Sequence, residues 1–387
     1  MTQISAVRTH RLRLPLRFPF VTALRRTEQV DTLLVEVVDT DGRRGWGEAA
    51  QVWQVTGESV VGAEACVAQM LAPVLVGQPL ANWPDMTDRL ARVVARNGGA
   101  KSAVETALLD LVCRAADVSM ADLLSQPARA VSEAAVPEAA VPGAAAAAGA
   151  PGAGLIVTTD VTVSATDLAA TVHAARQRVA DGFTTLKLKV GTDAAMDVAR
   201  VIAVRREVGD DIMVRLDANQ GWTRDEAVWA MRALEDAQVA VEFLEQPVAG
   251  EDVEGLAWVR RRVDTPVVAD EAVFTMTDVH RVVRLEAADG INVKLAKAGG
   301  PLAAARQLRF TQEAGLTTMV GSMMESDIGV AAALHVAVAG QASLVADLDA
   351  GWWLRRPAPM TGLTYGDDAT VRIGPGTGLG VVPLLGA

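Results

Sequence analysis

The sequence predicts a (β/α) barrel joined to a smaller α+β domain. Three observations carry this. The first 50 residues alternate like antiparallel strands, the next 75 change to helical spacing, and from about residue 156 eight short β-branched runs alternate with amphipathic helices. At 387 residues the chain has room for about two domains and a large core.

In the N-terminal part, Thr32-Leu-Leu-Val-Glu-Val-Val-Asp39 alternates along a strand, then an Asp41-Gly42 turn leads to Gly45-Trp46-Gly47-Glu48. Residues 58–125 place apolar side chains at three- and four-residue spacing, through Val60-Val61, Met70-Leu71 and Leu108-Leu109, and complete an α+β domain over 1–125. Residues 126–154 follow as an Ala/Pro/Gly stretch. From Ala134 to Ala153, 11 of 20 residues are Ala and six are Pro or Gly, too few large side chains to offset the entropy of ordering. A flexible insertion is expected there, with a mobile lid as the alternative. The uncharged run Ala139–Thr159 is long enough for a membrane span, but Pro142, Pro151 and four glycines break it, so it is not read as one. Arg8, Arg11, Arg13 and Arg17 likewise interrupt any signal-peptide core.

The eight runs lie near 156–163, 184–190, 212–217, 241–245, 266–269, 290–294, 317–321 and 344–347, giving a barrel over 155–350. Residues 351–387 are Gly- and Pro-rich and are expected to return to the N-terminal domain. The 36 Lys and Arg against 47 Asp and Glu leave a net charge of −11, which repels phosphate backbones and anionic lipid, so neither nucleic acid nor membrane is an expected partner. Cys66 and Cys113 show no metal or disulfide spacing, as a reducing cytoplasm allows.

Barrel strands are normally filled with Val, Ile and Leu, yet five consecutive runs end in ionisable groups: Lys187 and Lys189, Asp217, Glu245, Asp270 and Lys294. From Lys189 the intervals are 28, 28, 25 and 24 residues, about one strand plus one helix each, so the groups should meet at one barrel end. Three carboxylates on adjacent strands repel unless a cation lies between them. Asp217, Glu245 and Asp270 are therefore the expected ligands, and oxygen-only ligation suits Mg²⁺ or Mn²⁺ rather than zinc. Lys187 and Lys189, two apart on a strand, share a face. A second ammonium and a divalent ion both disfavour the charged form of Lys189, as a general base requires. Lys294 arrives four strands on, across the barrel mouth. A lysine on each side of a substrate suits removal of a proton from one face of a carbon α to a carboxylate and its return on the other. Lys297 is expected to be solvated.

Leu186-Lys-Leu-Lys-Val190, Arg215-Leu-Asp-Ala-Asn-Gln-Gly-Trp222, Phe243-Leu-Glu-Gln-Pro247, Ala269-Asp-Glu271 and Asn292-Val-Lys-Leu-Ala-Lys-Ala-Gly-Gly300 together resemble the muconate lactonizing enzyme subgroup of the enolase superfamily. The resemblance implies a modified (β/α)7β barrel capped by an α+β domain, built from the N-terminal part and the C-terminal tail. It also implies an essential Mg²⁺, Lys189 and Lys294 as an acid/base pair, and Lys187 as their electrostatic neighbour. The branch with a catalytic histidine is disfavoured, since His10, His173, His280 and His335 fall at no strand end. The subgroup includes cycloisomerases, o-succinylbenzoate synthases, N-acylamino acid racemases and dipeptide epimerases, all left open by the barrel residues.

The eighth run ends Val345-Ala-Asp-Leu-Asp-Ala350, and its Asp347 and Asp349 resemble the dipeptide epimerase signature. Such a pair welcomes the free ammonium of a dipeptide and disfavours anionic or N-acyl ends. Phe20-Val-Thr-Ala-Leu-Arg-Arg-Thr27 and Val55-Thr-Gly-Glu-Ser59 are similar to the capping loops of Ala-Glu epimerases, which implies that Arg25, with Arg26 as fallback, receives an acidic side chain and that Thr56 lies beside the substrate. Met319-Val-Gly-Ser-Met-Met-Glu325 is expected to line the pocket through Ser322 and Met323. The expected activity is Mg²⁺-dependent epimerisation of a dipeptide, L-Ala-D/L-Glu first, in a cytoplasmic homo-oligomer. Another subgroup reaction, or a non-catalytic binding protein, is the alternative.

Overall fold

The structure, a computed structural model, describes residues 2–126, 154–356 and 358–384. The expectations of a flexible insertion or lid over 126–154 fall almost entirely on residues outside these.

Strands β1 (Ile4–Val21), β2 (Arg26–Asp39) and β3 (Arg44–Ala50) form an antiparallel sheet in chain order. The helix Gly98–Ala116 lies across it, buried along most of its length. Glycine at 45 and 47 permits this contact: a Cβ there would stand 2.1 Å from the Ala107 carbonyl oxygen and 2.0 Å from that of Ala103. No side chain fits. Helix starts carry their own signals, with Ser59 accepting from the Gly62 N–H and a capping box at Ser119 and Asp122.

The barrel is a parallel sheet of β5 (Val161–Val163), β6 (Thr185–Lys189), β7 (Met213–Asp217), β8 (Leu244–Glu245), β9 (Val267–Ala269), β10 (Gly290–Lys294) and β11 (Thr317–Gly321). The eighth run closes it with two parallel bridges, Thr159 to Ala346 and Gly321 to Asp347. Each strand from β5 to β11 is followed by a helix packed outside, which gives the (β/α)7β pattern. Strands buried on both faces read as nearly unbroken apolar sequence, as β9 does.

The first run, expected as one strand over 156–163, is two. Leu155–Thr158 (β4) alternates between half-buried and exposed residues and pairs antiparallel with the tail, while only the fully buried Val161–Val163 enters the barrel. One-sided burial suits an edge sheet and excludes a barrel position. The tail forms β12 (Met360–Thr361), β13 (Leu363–Tyr365), β14 (Thr370–Ile373) and β15 (Val382–Pro383), with β13, β14 and β4 in one sheet. It also reaches the capping helices, where Asp110 Oδ1 accepts from the Leu379 N–H at 2.7 Å and the Gly378 carbonyl from the Met120 N–H at 3.0 Å.

Polar contacts lock cap to barrel. Glu48 of β3 accepts from the Ser326 and Gly329 N–H groups, at 2.8 and 2.9 Å, at the start of the helix Asp327–Ala339. His335 of that helix accepts through Nδ1 from the Ala121 N–H at 3.0 Å, which leaves Nε2 to donate to the Leu379 carbonyl at 3.2 Å. Among the described residues no helix is long and apolar enough to cross a membrane.

Candidate active site

The strand register gathers the ionisable groups. Lys189 pairs with Asp217 across β6 and β7, Asp217 with Glu245 across β7 and β8, and Lys294 with Gly321 across β10 and β11. A Cβ at 321 would lie 2.9 Å from Lys294 Cε, so glycine there leaves space for the lysine. Above these strand ends is a cavity walled by Lys189, Lys294, Asp270, Asp347 and Asp349 from the barrel and by Phe20, Thr22, Leu24, Arg25, Val52, Gln54 and Val55 from the cap.

Lys189 Nζ lies 2.5 Å from Asp217 Oδ2, and Lys294 Nζ 2.8 Å from Asp270 Oδ2. Burial disfavours the Lys294 ammonium, but Asp270, Asp347 and Glu245 together outweigh it and hold the pKa above the usual lysine value. Lys187 is more than a neighbour to Lys189. It is wholly buried under the cavity, with Nζ 2.7 Å from Glu245 Oε2, 2.9 Å from Asp347 Oδ2 and 3.2 Å from Asp217 Oδ2. Burial opposes its charge, and these three carboxylates raise its pKa well above normal.

Among the described residues no three His, Cys, Asp or Glu side chains converge into a ready metal cage. The three expected ligands stand on adjacent strand ends, each turned onto a lysine. Their chemistry still fits a hard divalent cation: the donors are all carboxylate oxygens, and buried Glu245 Oε2 accepts no well-directed hydrogen bond. Burial raises the Glu245 pKa to about 7 against the pull of Lys187, the strain of a carboxylate with too little compensating charge.

Asp347 and Asp349 both reach the cavity. Burial opposes charge on Asp347, but Lys187, Lys294 and Lys189 together depress its pKa. Asp349 is raised, by burial first and Asp347 second, although its Oδ2 accepts from the Thr162 N–H at 2.7 Å and Trp353 Nε1–H at 2.9 Å. Ser322 and Met323 line the wall, with the Ser322 N–H donating to the Asp347 carbonyl at 2.9 Å.

A turn places the two arginines differently. Thr22 Oγ1 accepts from the Leu24 and Arg25 N–H groups at 3.1 and 3.3 Å, and this turn directs Arg25 into the cavity. Arg26 stays exposed beside Glu28, 3.1 Å away. Burial lowers the Arg25 pKa to about 10, and among the described residues its guanidinium has no carboxylate partner.

Two residues are placed otherwise than their sequence suggests. Thr56 is outside the lining, because its hydroxyl is used inside its own turn, donating to the Val52 carbonyl at 3.2 Å and accepting from the Glu58 N–H at 3.3 Å. Lys297 is buried and grips Asp270 Oδ1 and the Asp270 carbonyl, since the short helix Leu295–Ala298 turns it back over the strand end. Thr162, Asn219, Glu271 and Met324 also line the cavity without having been singled out. Asn219 and Glu271 sit inside the quoted motifs, a usable signal, whereas Thr162 on β5 offered none. Asn219 Nδ2 donates to Glu271 Oε1 at 3.2 Å, and burial, then Asp270, raises the Glu271 pKa to about 8.

The family described as Mandelate racemase / muconate lactonizing enzyme, N-terminal domain matches residues 4–125, and the Enolase C-terminal domain-like family matches residues 170–384. The chain belongs to this enolase-type family. Among its members, the L-Ala-D/L-Glu epimerase of Bacillus subtilis (strain 168) is 34% identical over 98% of this chain and 97% of its own. The solved substrate-liganded complex of the Bacillus subtilis enzyme superposes with a TM-score of 0.89 at 34% identity, covering 98% of this chain and 99% of the other. A dipeptide epimerase from Enterococcus faecalis V583, solved with Mg and the dipeptide L-Leu-L-Tyr, gives 0.86 at 33% identity over 98% and 99%.

Proposed function

We propose that this chain epimerises dipeptides by 1,1-proton transfer at the α-carbon of the C-terminal residue, with L-Ala-D/L-Glu the leading substrate. The observation that carries the reading is one cavity holding a lysine from β6, a lysine from β10, the Asp347 and Asp349 pair, and an arginine without a carboxylate partner among the described residues. The chain is an isomerase of the enolase-type family, and relatives that span nearly all of it include an L-Ala-D/L-Glu epimerase and a hydrophobic dipeptide epimerase.

Asp217, Glu245 and Asp270 would hold Mg²⁺, the ion in the Enterococcus faecalis complex, and the ion when bound would supply positive charge that stabilises negative charge developing on the substrate carboxylate. Lys189 and Lys294 do the proton work. One, neutral, takes the α-proton; the electron pair left behind is delocalised into the carboxylate as an enediolate; the other, as ammonium, protonates the opposite face. Net proton count is unchanged. Lys187 keeps Asp217, Glu245 and Asp347 together beneath the cavity. Asp347 and Asp349 anchor the N-terminal ammonium, and Arg25 tests the side chain by pairing with a carboxylate.

A second reading rests on the wall itself. Leu24, Val52, Val55, Met323 and Met324 offer apolar surface beside Arg25, which suits a dipeptide with a hydrophobic side chain. Incubation with a dipeptide library in D₂O and Mg²⁺, read as α-deuterium uptake by mass, separates the two. Uptake into Ala-Glu above apolar dipeptides is expected; absence of exchange in every acidic dipeptide removes the Ala-Glu assignment, and turnover of N-succinyl amino acids favours a racemase.

A further inference from the structure

The proton lysine Lys189 ends β6 and the ammonium anchor Asp349 precedes the short helix Ala350–Trp353, yet one buried indole touches both Asp349 and the aromatic ring beside Lys189. Trp353 is 2% exposed and closes the short helix Ala350–Trp353 just after the Asp-x-Asp segment. Its Nε1–H donates to Asp349 Oδ2 at 2.9 Å, one of two donors on that oxygen beside the Thr162 N–H. Its ring packs edge-on against Phe20, with centroids 5.2 Å apart at 88°. Phe20 in turn walls the cavity, with Lys189 Nζ 5.8 Å from its ring centre. Phe20 also ends two residues before the Thr22 turn that aims Arg25.

The backbone makes the same connection. Leu354 bridges to Leu16 of β1, and the Arg355 N–H donates to the Pro15 carbonyl at 2.9 Å, so the segment after Asp349 is seated directly on the strand that leads into Phe20. Only an indole has both a flat apolar edge for Phe20 and a fixed N–H for a carboxylate. Phenylalanine lacks the donor. Tyrosine would place its hydroxyl at another angle and distance.

We infer that Trp353 is a positioning residue for substrate selection: its ring, seated on Phe20, holds the indole N–H that orients Asp349 toward a substrate ammonium. The inference rests on the reading of Asp349 as ammonium anchor and adds the residue that fixes its geometry. An Asp349 held by two donors presents its remaining lone pairs in one direction. With one donor removed the carboxylate turns, and the free-amine substrate loses its advantage over an N-acylated one. The loss should be on the order of tenfold, the range of one hydrogen bond to a charged group.

The experiment compares L-Ala-L-Glu with N-acetyl-L-Ala-L-Glu on the wild-type enzyme and on Trp353→Phe, with Mg²⁺ present. The wild type is expected to prefer the free amine. In Trp353→Phe that preference should shrink about tenfold, through KM of the free dipeptide, while kcat/KM for the N-acetyl compound stays within about twofold. Where Trp353→Phe does not fold, benzothienylalanine at position 353 removes the N–H at nearly constant shape and gives the same readout. A wild type that treats both compounds alike overturns the ammonium reading and this inference with it. A discriminating wild type with undiminished preference in the variant, or an equal fall for both compounds, overturns the Trp353 role alone.

Discussion

The two ends of the cavity are built in different ways. On the barrel side every chemical group is at least nine-tenths buried and held by several partners: Lys187 by three carboxylates, Asp270 by Lys294 and Lys297, Asp347 by lysines and Asn292. On the cap side Thr22, Leu24, Arg25, Gln54 and Val55 are half-buried or exposed and are shaped by short turns of their own. Dense charge networks in low dielectric hold one geometry and make any single deletion costly. Local turns hold a side chain cheaply and leave it replaceable. The ionisable groups of the barrel therefore sit where geometry is over-determined, and the cap-side turns sit where sequence can change without disturbing it.

The largest expected effect breaks the barrel side. Lys189→Ala and Lys294→Ala, made separately, should each lower epimerisation by about 10⁴-fold, and α-deuterium exchange from one substrate epimer should survive only in the variant that keeps the matching base. If each variant retains wild-type turnover, the two-base scheme is wrong.

Next comes the joint between the two sides. Burial lowers the His335 pKa to about 4 from 6.5, so the folded protein binds fewer protons there than the unfolded chain. The stability this contributes is fully present above about pH 6.5 and is lost as pH falls toward 4. Between pH 7 and 5 the loss is ~2 kcal/mol. Denaturant titrations of wild type and His335→Gln, which can accept and donate but does not titrate, should show this slope only in the wild type.

A smaller effect probes the cap side. Arg25→Met should raise KM for Ala-Glu about tenfold and leave kcat within a few-fold, while KM for apolar dipeptides stays level or falls. Steady-state kinetics on both classes decide it, and an equal rise for both would return Arg25 to a structural role. Smallest of all, Thr56→Val should leave kcat/KM within about twofold, because its hydroxyl serves its own turn. A tenfold loss would bring Thr56 back to the substrate.

Legibility in the sequence followed the same division. Lys187, Lys189, Asp217, Glu245, Asp270 and Lys294 could be located because strand ends recur at nearly constant intervals and charged residues are conspicuous among apolar strands. The alternation of β2 and the period of the helices are likewise local facts. What could not be read is what depends on partners distant in the chain. The run 156–163 splits because the tail supplies an edge partner for Leu155–Thr158 more than 200 residues later. Lys297 looks like a surface lysine until the helix beginning at Leu295 folds it onto Asp270.

Residue order and polarity were thus enough for the barrel, the cap and the ionisable groups at the strand ends, because period and spacing are properties of the chain alone. The inward turn of Arg25, the withdrawal of Thr56, the pairing of each carboxylate with a lysine and the reach of Trp353 from Asp349 to Phe20 arose on folding. They depend on which donors and acceptors meet in space, and hydrogen bonds, buried charge and close packing act over a few ångströms whatever the separation along the sequence.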